Sequence, residues 1–260
     1  MSQVAVLLYQ NVFQRDPHKE SHTKNVKWMT KVLKSIHTMF PSDDVNIYHL
    51  TFSTKKEQTE LKASISLVEE LDEEENDQAF HKILDWDGNC DNSHEFTTLK
   101  NKEFVQLYDM IQQALFHIIR NEKKDYSHVV IWCEDDFIRV PVDSFDWNDS
   151  YCMFTTKPFW FFDQTKIKRA INHRFLAMTY PQFQTLFLQS IYQILSLKKN
   201  NNDLCIEEMF YQLVEKESGI QYIQPSTYLS HLGESGYNLE KDNTKEIEWV
   251  YDRSLHLICR

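Results

Sequence analysis

Glycine is scarce in this sequence. Only 4 of the 260 residues are glycine. Loops that wrap closely around a phosphate need several glycines, because a Cβ atom would keep the backbone away from the ligand. Neither a P-loop nor the Gly-x-Gly-x-x-Gly pattern of dinucleotide-binding folds occurs in the sequence. We therefore expect no glycine-rich phosphate-binding loop.

Paired cysteines and an excess of basic residues are also lacking. The five cysteines are scattered, and no two of them form a Cys-x-x-Cys pattern. The absence of such a pair argues against a zinc knuckle and against a disulfide framework. We therefore predict a reducing, cytoplasmic compartment (the host cytoplasm for a viral protein). The formal net charge of -11 disfavours nucleic-acid binding, which is driven by neutralisation of phosphates.

Long apolar runs are missing as well. No run approaches the roughly 20 residues that a transmembrane helix needs. The apolar stretch from Met1 to Leu8 has no basic region and no small-residue cleavage site, so it is interpreted as a first strand rather than a signal peptide. With 42% hydrophobic residues, the chain is expected to form a single domain over residues 1–260.

Apolar patterns in the first part of the chain alternate between strand and helix. Val4 to Tyr9 and Val45 to Phe52 predict two strands. Between them, apolar residues recur at helical spacing from Trp28 to Phe40. A strand, a helix and a strand in this order favour a parallel sheet and hence an α/β fold.

The same patterns continue toward the C-terminus. They predict an amphipathic helix from Phe104 to Ile119, an apolar strand from Val129 to Cys133 and an aromatic strand from Met153 to Phe162. Two more helices are predicted, from Tyr180 to Leu195 and from Ile206 to Glu215. The part that follows contains three of the four glycines and is interpreted as turns.

The strand that ends at Cys133 is followed directly by three acidic residues, Glu134, Asp135 and Asp136. Ligands of open α/β sheets bind beyond the carboxyl ends of the strands. Adjacent carboxylates repel one another unless a cation or hydrogen-bond donors compensate for their charge. Mg2+ and Mn2+ can bind carboxylate oxygens and phosphate oxygens at the same time. The triplet thus favours a divalent metal beside a diphosphate, with a solvated acidic turn as the alternative.

The helix, the apolar strand and the Glu-Asp-Asp triplet resemble the Asp-x-Asp (DXD) region of GT-A glycosyltransferases such as the N-acetylglucosaminyltransferases. This resemblance implies a GT-A-like, Rossmann-like α/β fold with a mixed, mainly parallel central sheet flanked by helices. It implies a hexosyl- or N-acetylhexosaminyl-transferase that uses Mn2+ or Mg2+ and a nucleoside diphosphate sugar, with a UDP-sugar favoured. It assigns Asp136 to the metal, and Glu134 and Asp135 to the donor.

Two later segments follow in the order that this family has. Glu207 and Glu208 resemble the second acidic motif, whose carboxylate deprotonates the acceptor in inverting members. Acidic residues at a helix N-terminus also occur without catalysis, because they complement the helix dipole. Pro225 to Gly236 resembles a Pro-Ser and His-Leu-Gly stretch, in which His231 would bind the metal or the diphosphate, or would be a hydrogen-bonded loop residue.

Further residues are candidate contacts for the two substrates. Tyr9, Gln10 and Asn11 follow the first strand and are assigned to the donor, although they form no familiar nucleotide-binding signature. The most basic stretch of the chain runs from residue 166 to residue 174 and is assigned to the acceptor side. Its candidate residues are Lys168, Arg169 and Arg174, and the nearby Trp160 is the candidate sugar-stacking platform. The alternatives are a solvated helical face for the basic residues and a core position for the aromatic one.

A second acidic segment, Asp85 to Asp91, also contains an Asp-x-Asp pattern. As a calcium-binding loop it fails, because Asn92 and Thr98 stand where glycine and glutamate are required. No β-rich strand is predicted before this segment, so we interpret it as a polar loop.

Two rival functions stay open beside glycosyl transfer to a glycan, protein or small molecule. One is a viral-type DNA glycosyltransferase that acts on hydroxymethylated bases, which the basic stretch favours and the net charge opposes. The other is an inactive GT-A-like binding module, against which the acidic residues at both motifs argue. The sequence leaves open the sugar, the acceptor, retention or inversion, and the oligomeric state.

Overall fold

The computed structural model describes residues 3–9, 26–40, 44–51, 80–85, 99–122, 124–134, 136–139, 151–153, 159–163, 166–170, 173–189, 210–211, 213–214, 220–222 and 227–230. Strands and helices make up most of these stretches. The strands are β1 Gln3–Tyr9, β2 Asp44–Thr51, β3 Phe80–Asp85, β4 His128–Cys133, β5 Asp136–Arg139, β6 Tyr151–Met153, β7 Phe159–Asp163, β8 Lys166–Ala170, β9 Phe175–Thr179, β10 Ile220–Tyr222 and β11 Thr227–Ser230. The helices are α1 Val26–Met39, α2 Leu99–His117 and α3 Tyr180–Phe187.

Seven of these strands form one sheet in the order β10-β6-β9-β4-β1-β2-β3. β1 lies between β4 and β2 and is parallel to both, and β3 is parallel to β2. β9 is antiparallel to its neighbours β4 and β6, whereas β10 is parallel to β6. Within this sheet β9 alone runs against the common direction. The architecture confirms the predicted α/β fold class, a mixed and mainly parallel central sheet with flanking helices.

The helices cover both faces of the sheet. Connections between parallel strands are right-handed, and the step from β1 to β2 crosses the sheet in the opposite direction from the step from β3 to β4. α1 and α2 therefore lie on opposite faces. The core on the α2 side combines apolar residues of α2 and α3 with alternate residues of the strands. Members of this core include Leu7, Tyr48, Leu107, Ile111, Ile131 and Phe183.

Helix α3 begins where the sequence indicates that a helix should start. The side chain of Thr179 accepts a hydrogen bond from the Gln182 amide, and the Gln182 side chain accepts one from the Thr179 amide. This capping box satisfies two amides that the first turn leaves without helical partners. Pro181 occupies the first turn, where it needs no amide hydrogen, which confirms the prediction of a helix beginning here. α3 extends to Phe187; the predicted part beyond Gln189 lies outside the described residues.

Two sequence predictions about the middle of the chain are wrong. The single aromatic strand predicted from Met153 to Phe162 is two strands, β6 in the central sheet and β7 in a separate pair with β8. Pro158 lies between them and has no amide hydrogen to donate to a ladder. The alternative of a helical face for the basic stretch also fails, because Lys166–Ala170 forms strand β8.

Strand β3 corrects a third prediction. The Asp-x-Asp pattern that begins at Asp85 was expected to have no strand before it, yet Phe80–Asp85 pairs in parallel with β2 along its whole length. His81 and Lys82 interrupt the apolar pattern, so periodicity alone does not reveal this edge strand. Residues 86–98 lie outside the described part of the chain. Within that part, no helix combines the length and the apolar character that a bilayer crossing requires.

Candidate functional site

The strand order places a topological switch point between β1 and β4, where open α/β sheets have a crevice. From β1 the chain proceeds outward to β2 and β3, and it then returns to place β4 on the other side of β1. In open α/β sheets, ligands bind at such a switch point, outside the carboxyl ends of the strands. The carboxyl ends here are Tyr9 on β1 and Cys133 on β4, which are register partners. Because β9 is antiparallel, its beginning lies at the same edge.

Main-chain hydrogen bonds hold this edge together. The amide of Glu134 donates to the carbonyl oxygen of Tyr9 at 3.0 Å, so the first residue of the acidic triplet is tied to β1 across the switch point. The amide of Cys133 donates to the carbonyl oxygen of Arg174 at 2.8 Å, just before β9 begins. Main-chain hydrogen bonds thus hold the end of β4 on both sides, at the point where the acidic triplet begins.

The side chain of Glu134 is directed into the protein. Its Oε2 atom lies 2.6 Å from Nε2 of His49 on β2, and the two side chains are 4% and 0% exposed. Tyr48 and Leu50 belong to the core on the α2 side, so His49 lies on the opposite face of the sheet. Burial lowers the pKa of His49 to about 4. The ring is therefore neutral near pH 7, and its Nε2–H group donates to the Glu134 carboxylate.

Aromatic rings line the other side of the same edge. His173, which precedes β9, is buried, and its ring centroid lies 6.4 Å from that of Tyr9. The His173 ring also stacks on Phe210, with centroids 6.0 Å apart and planes inclined by 20°. The helical residues Phe210 and Tyr211 pack into the core on the α2 side. This contact places Phe210, which follows the predicted second acidic motif in the sequence, beside the switch point.

The metal-binding prediction falls on β5 and β11. Asp136 begins β5, and its register partner in the antiparallel strand β11 is Ser230, the residue that precedes His231 in the sequence. Among the described residues, no three His, Cys, Asp or Glu side chains form a metal-binding cluster. The side chain of Asp136 and all of Asp135 and His231 lie outside the described residues.

The two predicted ligands nevertheless have the chemistry that a divalent metal needs. They are a carboxylate at the start of β5 and an imidazole that follows β11 in the chain. Mn2+ accepts oxygen together with imidazole nitrogen, whereas Mg2+ prefers oxygen alone. The donor atoms of the two predicted ligands therefore suit a divalent ion.

The remaining predicted site residues divide into two groups. The backbone of the β7–β8 pair brings the acceptor-side candidates together, with Trp160 opposite Arg169 and Phe161 opposite Lys168. Arg174 lies next to His173, at the edge that carries the switch point. A second group lies outside the described residues; it consists of Gln10, Asn11, Glu207 and Glu208. Their predicted roles remain predictions.

Sequence reasoning missed His49 and His173. His49 lies inside an alternating strand, Asp44–Thr51, and nothing in its local pattern distinguishes it from a surface histidine. His173 lies within the basic stretch from residue 166 to residue 174, and no local pattern distinguishes it there. Both residues gain their importance from partners far along the chain, since His49 and Glu134 are 85 residues apart.

A second group of charged residues lies near the amino ends of the strands. Nζ of Lys82 on β3 donates to Oε1 of Glu122 at 2.6 Å, and the two side chains are 34% and 14% exposed. Nε2 of His117 lies 3.3 Å from the same oxygen. Lys124 donates to Oδ1 of Asn46 at 3.1 Å. These residues join a π-helical turn after α2 to strands β2 and β3.

The sequence matches no protein-family model and no curated protein. The fold is similar to the crystal structure of the galactosyltransferase LgtC in complex with donor and acceptor sugar analogues, with a TM-score of 0.49 and 10% identity, covering 85% of this chain and 72% of that one. An active-site mutant of LgtC gives a TM-score of 0.47 and 11% identity over the same shares of the two chains.

A third similar structure is the nucleoside-diphosphate-sugar pyrophosphorylase from Vibrio cholerae RC9. Its TM-score is 0.46 and its identity 10%, and the match covers 85% of this chain and 91% of that one. At these TM-scores and identities, similarity alone transfers neither an activity nor a ligand. Any functional conclusion therefore depends on the residues at the switch point.

Proposed function

We propose that this protein is a metal-dependent glycosyltransferase that moves a sugar from a nucleoside diphosphate sugar, with a UDP-sugar favoured, to a hydroxyl group. One observation carries the proposal. The acidic triplet begins at the topological switch point, where Glu134 is bonded to β1 and β2, and it ends at Asp136, opposite Ser230. Ligands of such sheets bind there, and a triplet of carboxylates suits a metal with a diphosphate.

The donor would lie across the carboxyl ends of β1 and β4. Tyr9 is buried at the end of β1, so we expect its main chain, rather than its ring, to contact the donor. Gln10, Asn11 and Asp135 are the proposed contacts to the nucleoside and the sugar. Glu134, which the resemblance also assigns to the donor, has its side chain buried against His49. Asp136 and His231 would hold Mn2+ or Mg2+. When bound, the metal supplies positive charge to the departing diphosphate.

The acceptor hydroxyl needs a base in an inverting reaction, because its own pKa is far above neutral. Glu207 and Glu208 are the proposed candidates. Adjacent residues of a helix point about 100° apart, so we expect one of the two to face the substrate. The stacking of Phe210 on His173 supports this assignment, since Phe210 lies three residues after Glu207 and is anchored beside the switch point.

The acceptor itself would approach along the β7–β8 pair, where Trp160 is the register partner of Arg169. An aromatic ring and a cationic side chain suit a sugar or a phosphorylated acceptor equally well. This pair keeps open the second candidate, a viral-type transferase that glucosylates hydroxymethylated bases in DNA. The net charge of -11 favours a glycan, a protein or a small molecule instead.

The central test is nucleotide binding measured by calorimetry. Wild-type protein should bind UDP or GDP more tightly with Mn2+ than without it, and Asp136→Ala should abolish this difference. A matched control is Asp125→Ala, because Asp125 is an exposed acidic residue just before β4, at the opposite edge. Equal affinities with and without Mn2+ in the wild-type protein would contradict the proposal.

Two activity measurements separate the alternatives. Hydrolysis of a nucleotide sugar with Mn2+ and no acceptor excludes an inactive binding module, and addition of free glycans or hydroxymethylated DNA then identifies the acceptor class. One of the changes Glu207→Gln and Glu208→Gln should lower kcat by about 100-fold or more while donor affinity is kept. If both variants of an active enzyme keep their kcat, the base assignment is wrong and a retaining reaction becomes the better interpretation.

A further inference from the structure

We propose that His49 is a positioning residue for β5 and β11, the strand pair that carries Asp136. Through Glu134, it fixes the direction in which the chain leaves β4 and thereby places Asp136 for the divalent ion. This inference rests on the proposed function, because it assigns the pair a role in metal binding. It concerns a residue of β2 that is itself neither a ligand nor a substrate contact.

The first support is the way Glu134 is held. Its amide donates to Tyr9 on β1, its carboxylate accepts from His49 on β2, and the residue before it donates to Arg174. Glu134 is therefore attached to two separate segments of the chain, and the residue before it is attached to a third. Only Asp135 lies between it and Asp136, so the orientation of Glu134 restricts where Asp136 can be.

The second support is burial. The Glu134 side chain is 4% exposed and the His49 side chain is completely buried, so this carboxylate does not extend toward a ligand in the crevice. It acts as an internal anchor, while the acidic residues after it remain for the donor and the metal. The three carboxylates of the triplet thus have different roles, and the role of Glu134 is to fix the position of the other two.

The third support is energetic. Removing a carboxylate from water is costly, and replacing buried ionic groups and their partners with apolar residues of similar volume is often neutral or stabilising. The stability of the fold alone therefore gives no reason for a histidine and a glutamate here. A hydrogen bond of 2.6 Å gives a defined direction that packed apolar side chains would not. Groups that orient metal ligands in this way strongly affect metal affinity.

The experiment compares three variants with the wild-type protein. His49→Gln keeps an amide hydrogen that can reach Glu134, and His49→Leu removes the donor. The double variant with His49→Leu and Glu134→Leu removes both polar groups and leaves an apolar pair. Calorimetry measures the Mn2+ affinity of the UDP-bound protein and the UDP affinity without metal, and thermal unfolding measures stability.

We expect His49→Leu to weaken Mn2+ binding by about 10-fold to 100-fold, while metal-free UDP affinity changes little. His49→Gln should stay within about threefold of wild type, since the donor is restored. The double variant should regain thermal stability without regaining Mn2+ affinity, which a purely structural role would not produce. Should His49→Leu fail to fold, the double variant and His49→Gln still decide the question.

The outcomes distinguish the two proposals. Wild-type protein that binds UDP without any effect of Mn2+ overturns the proposed function, and this inference with it. Wild-type protein that binds Mn2+ with UDP, together with a folded double variant of equal Mn2+ affinity, overturns only the positioning role. Loss of Mn2+ affinity in His49→Gln equal to that in the double variant would also contradict it, because the donor would then not be the relevant group.

Discussion

Two glutamates of this protein accept hydrogen bonds of the same length in very different surroundings. At the carboxyl edge of the sheet, Glu134 and His49 lie 2.6 Å apart with side chains 4% and 0% exposed. Near the amino edge, Glu122 and Lys82 also lie 2.6 Å apart, but their side chains are 14% and 34% exposed. The two distances are equal. The difference in burial predicts that the two pairs respond differently when one partner is removed.

Water explains the difference. If Lys82 is removed, Glu122 still reaches solvent and still has His117 beside it at 3.3 Å. If His49 is removed, the Glu134 carboxylate remains in a place that water does not reach. The loss of one partner therefore has a small effect at one edge and a large effect at the other. The following predictions test this contrast.

The largest effect is expected for His49→Ala. Removing one partner of a buried charged hydrogen bond costs about 3–5 kcal/mol, because the other group stays buried without its donor. Urea unfolding followed by circular dichroism measures this free energy. A loss below about 1 kcal/mol, the usual value for an exposed pair, would show that Glu134 reaches water when His49 is absent.

A pH dependence of the same histidine comes next. Burial lowers the pKa of His49 from 6.5 to about 4. The folded state then binds fewer protons than the unfolded state between these values, so the stability present above pH 6.5 is lost as the pH falls toward 4. The expected loss is about 3 kcal/mol, at about 1.4 kcal/mol per pH unit.

Comparison with His49→Gln isolates this contribution, since the variant lacks the titrating ring. The difference in unfolding free energy between the two proteins should change with pH only in that window. The pKa of Glu122 is also lowered, by the hydrogen bond from Lys82, so its contribution is present above its ordinary pKa of 4.5 and is lost below it. A difference that is constant from pH 7 to pH 4 would mean that His49 does not titrate as its burial predicts.

An intermediate effect is expected for a pair that is buried but uncharged. The hydroxyl oxygens of Tyr48 and Tyr126 lie 2.5 Å apart in the core, and burial raises the pKa of Tyr48 to about 12. Tyr48→Phe leaves the Tyr126 hydroxyl without this partner and should cost about 1–3 kcal/mol. Urea unfolding measures this loss as well. A loss as large as that of His49→Ala would show that burial matters more than charge.

The smallest effect is expected for Lys82→Ala. An exposed ion pair contributes about 0–1 kcal/mol, and salt screens it. Unfolding in low salt and in 1 M NaCl, where the Debye length is about 3 Å, should reveal a small difference that disappears at high salt. A large loss that salt does not change would place this pair in the same class as the one at the carboxyl edge.

The fold could be predicted where the signal is local. Strands β1, β2 and β4 are uninterrupted or alternating apolar runs, and α1 and α2 carry apolar residues at helical spacing, so their existence follows from neighbouring residues alone. Strands β3, β5, β8, β9, β10 and β11 were missed. They are short or contain polar residues, and they gain stability from the strands with which they pair.

The candidate site could be predicted only in part for the same reason. The acidic triplet is contiguous in the sequence, so its position after an apolar strand identifies it. His49, the partner of Glu134, lies far from it in the sequence, and so does Phe210 from His173. Local patterns contain no information about which distant residue will lie opposite a given carboxylate, and only the sheet order supplies it.

The central position of β1 has a consequence for how the chain folds. The carbonyl oxygen of Gln3 accepts hydrogen bonds from the amide and the hydroxyl of Ser127, which is 124 residues away. β2 follows β1 closely enough to pair with it early, but the other side of β1 stays exposed until β4 has been synthesised. Pairing over such separations is slow, and an apolar strand with an open edge associates with other chains. We therefore expect nascent chains that stop before β4 to aggregate and to depend on chaperones until this strand closes the sheet.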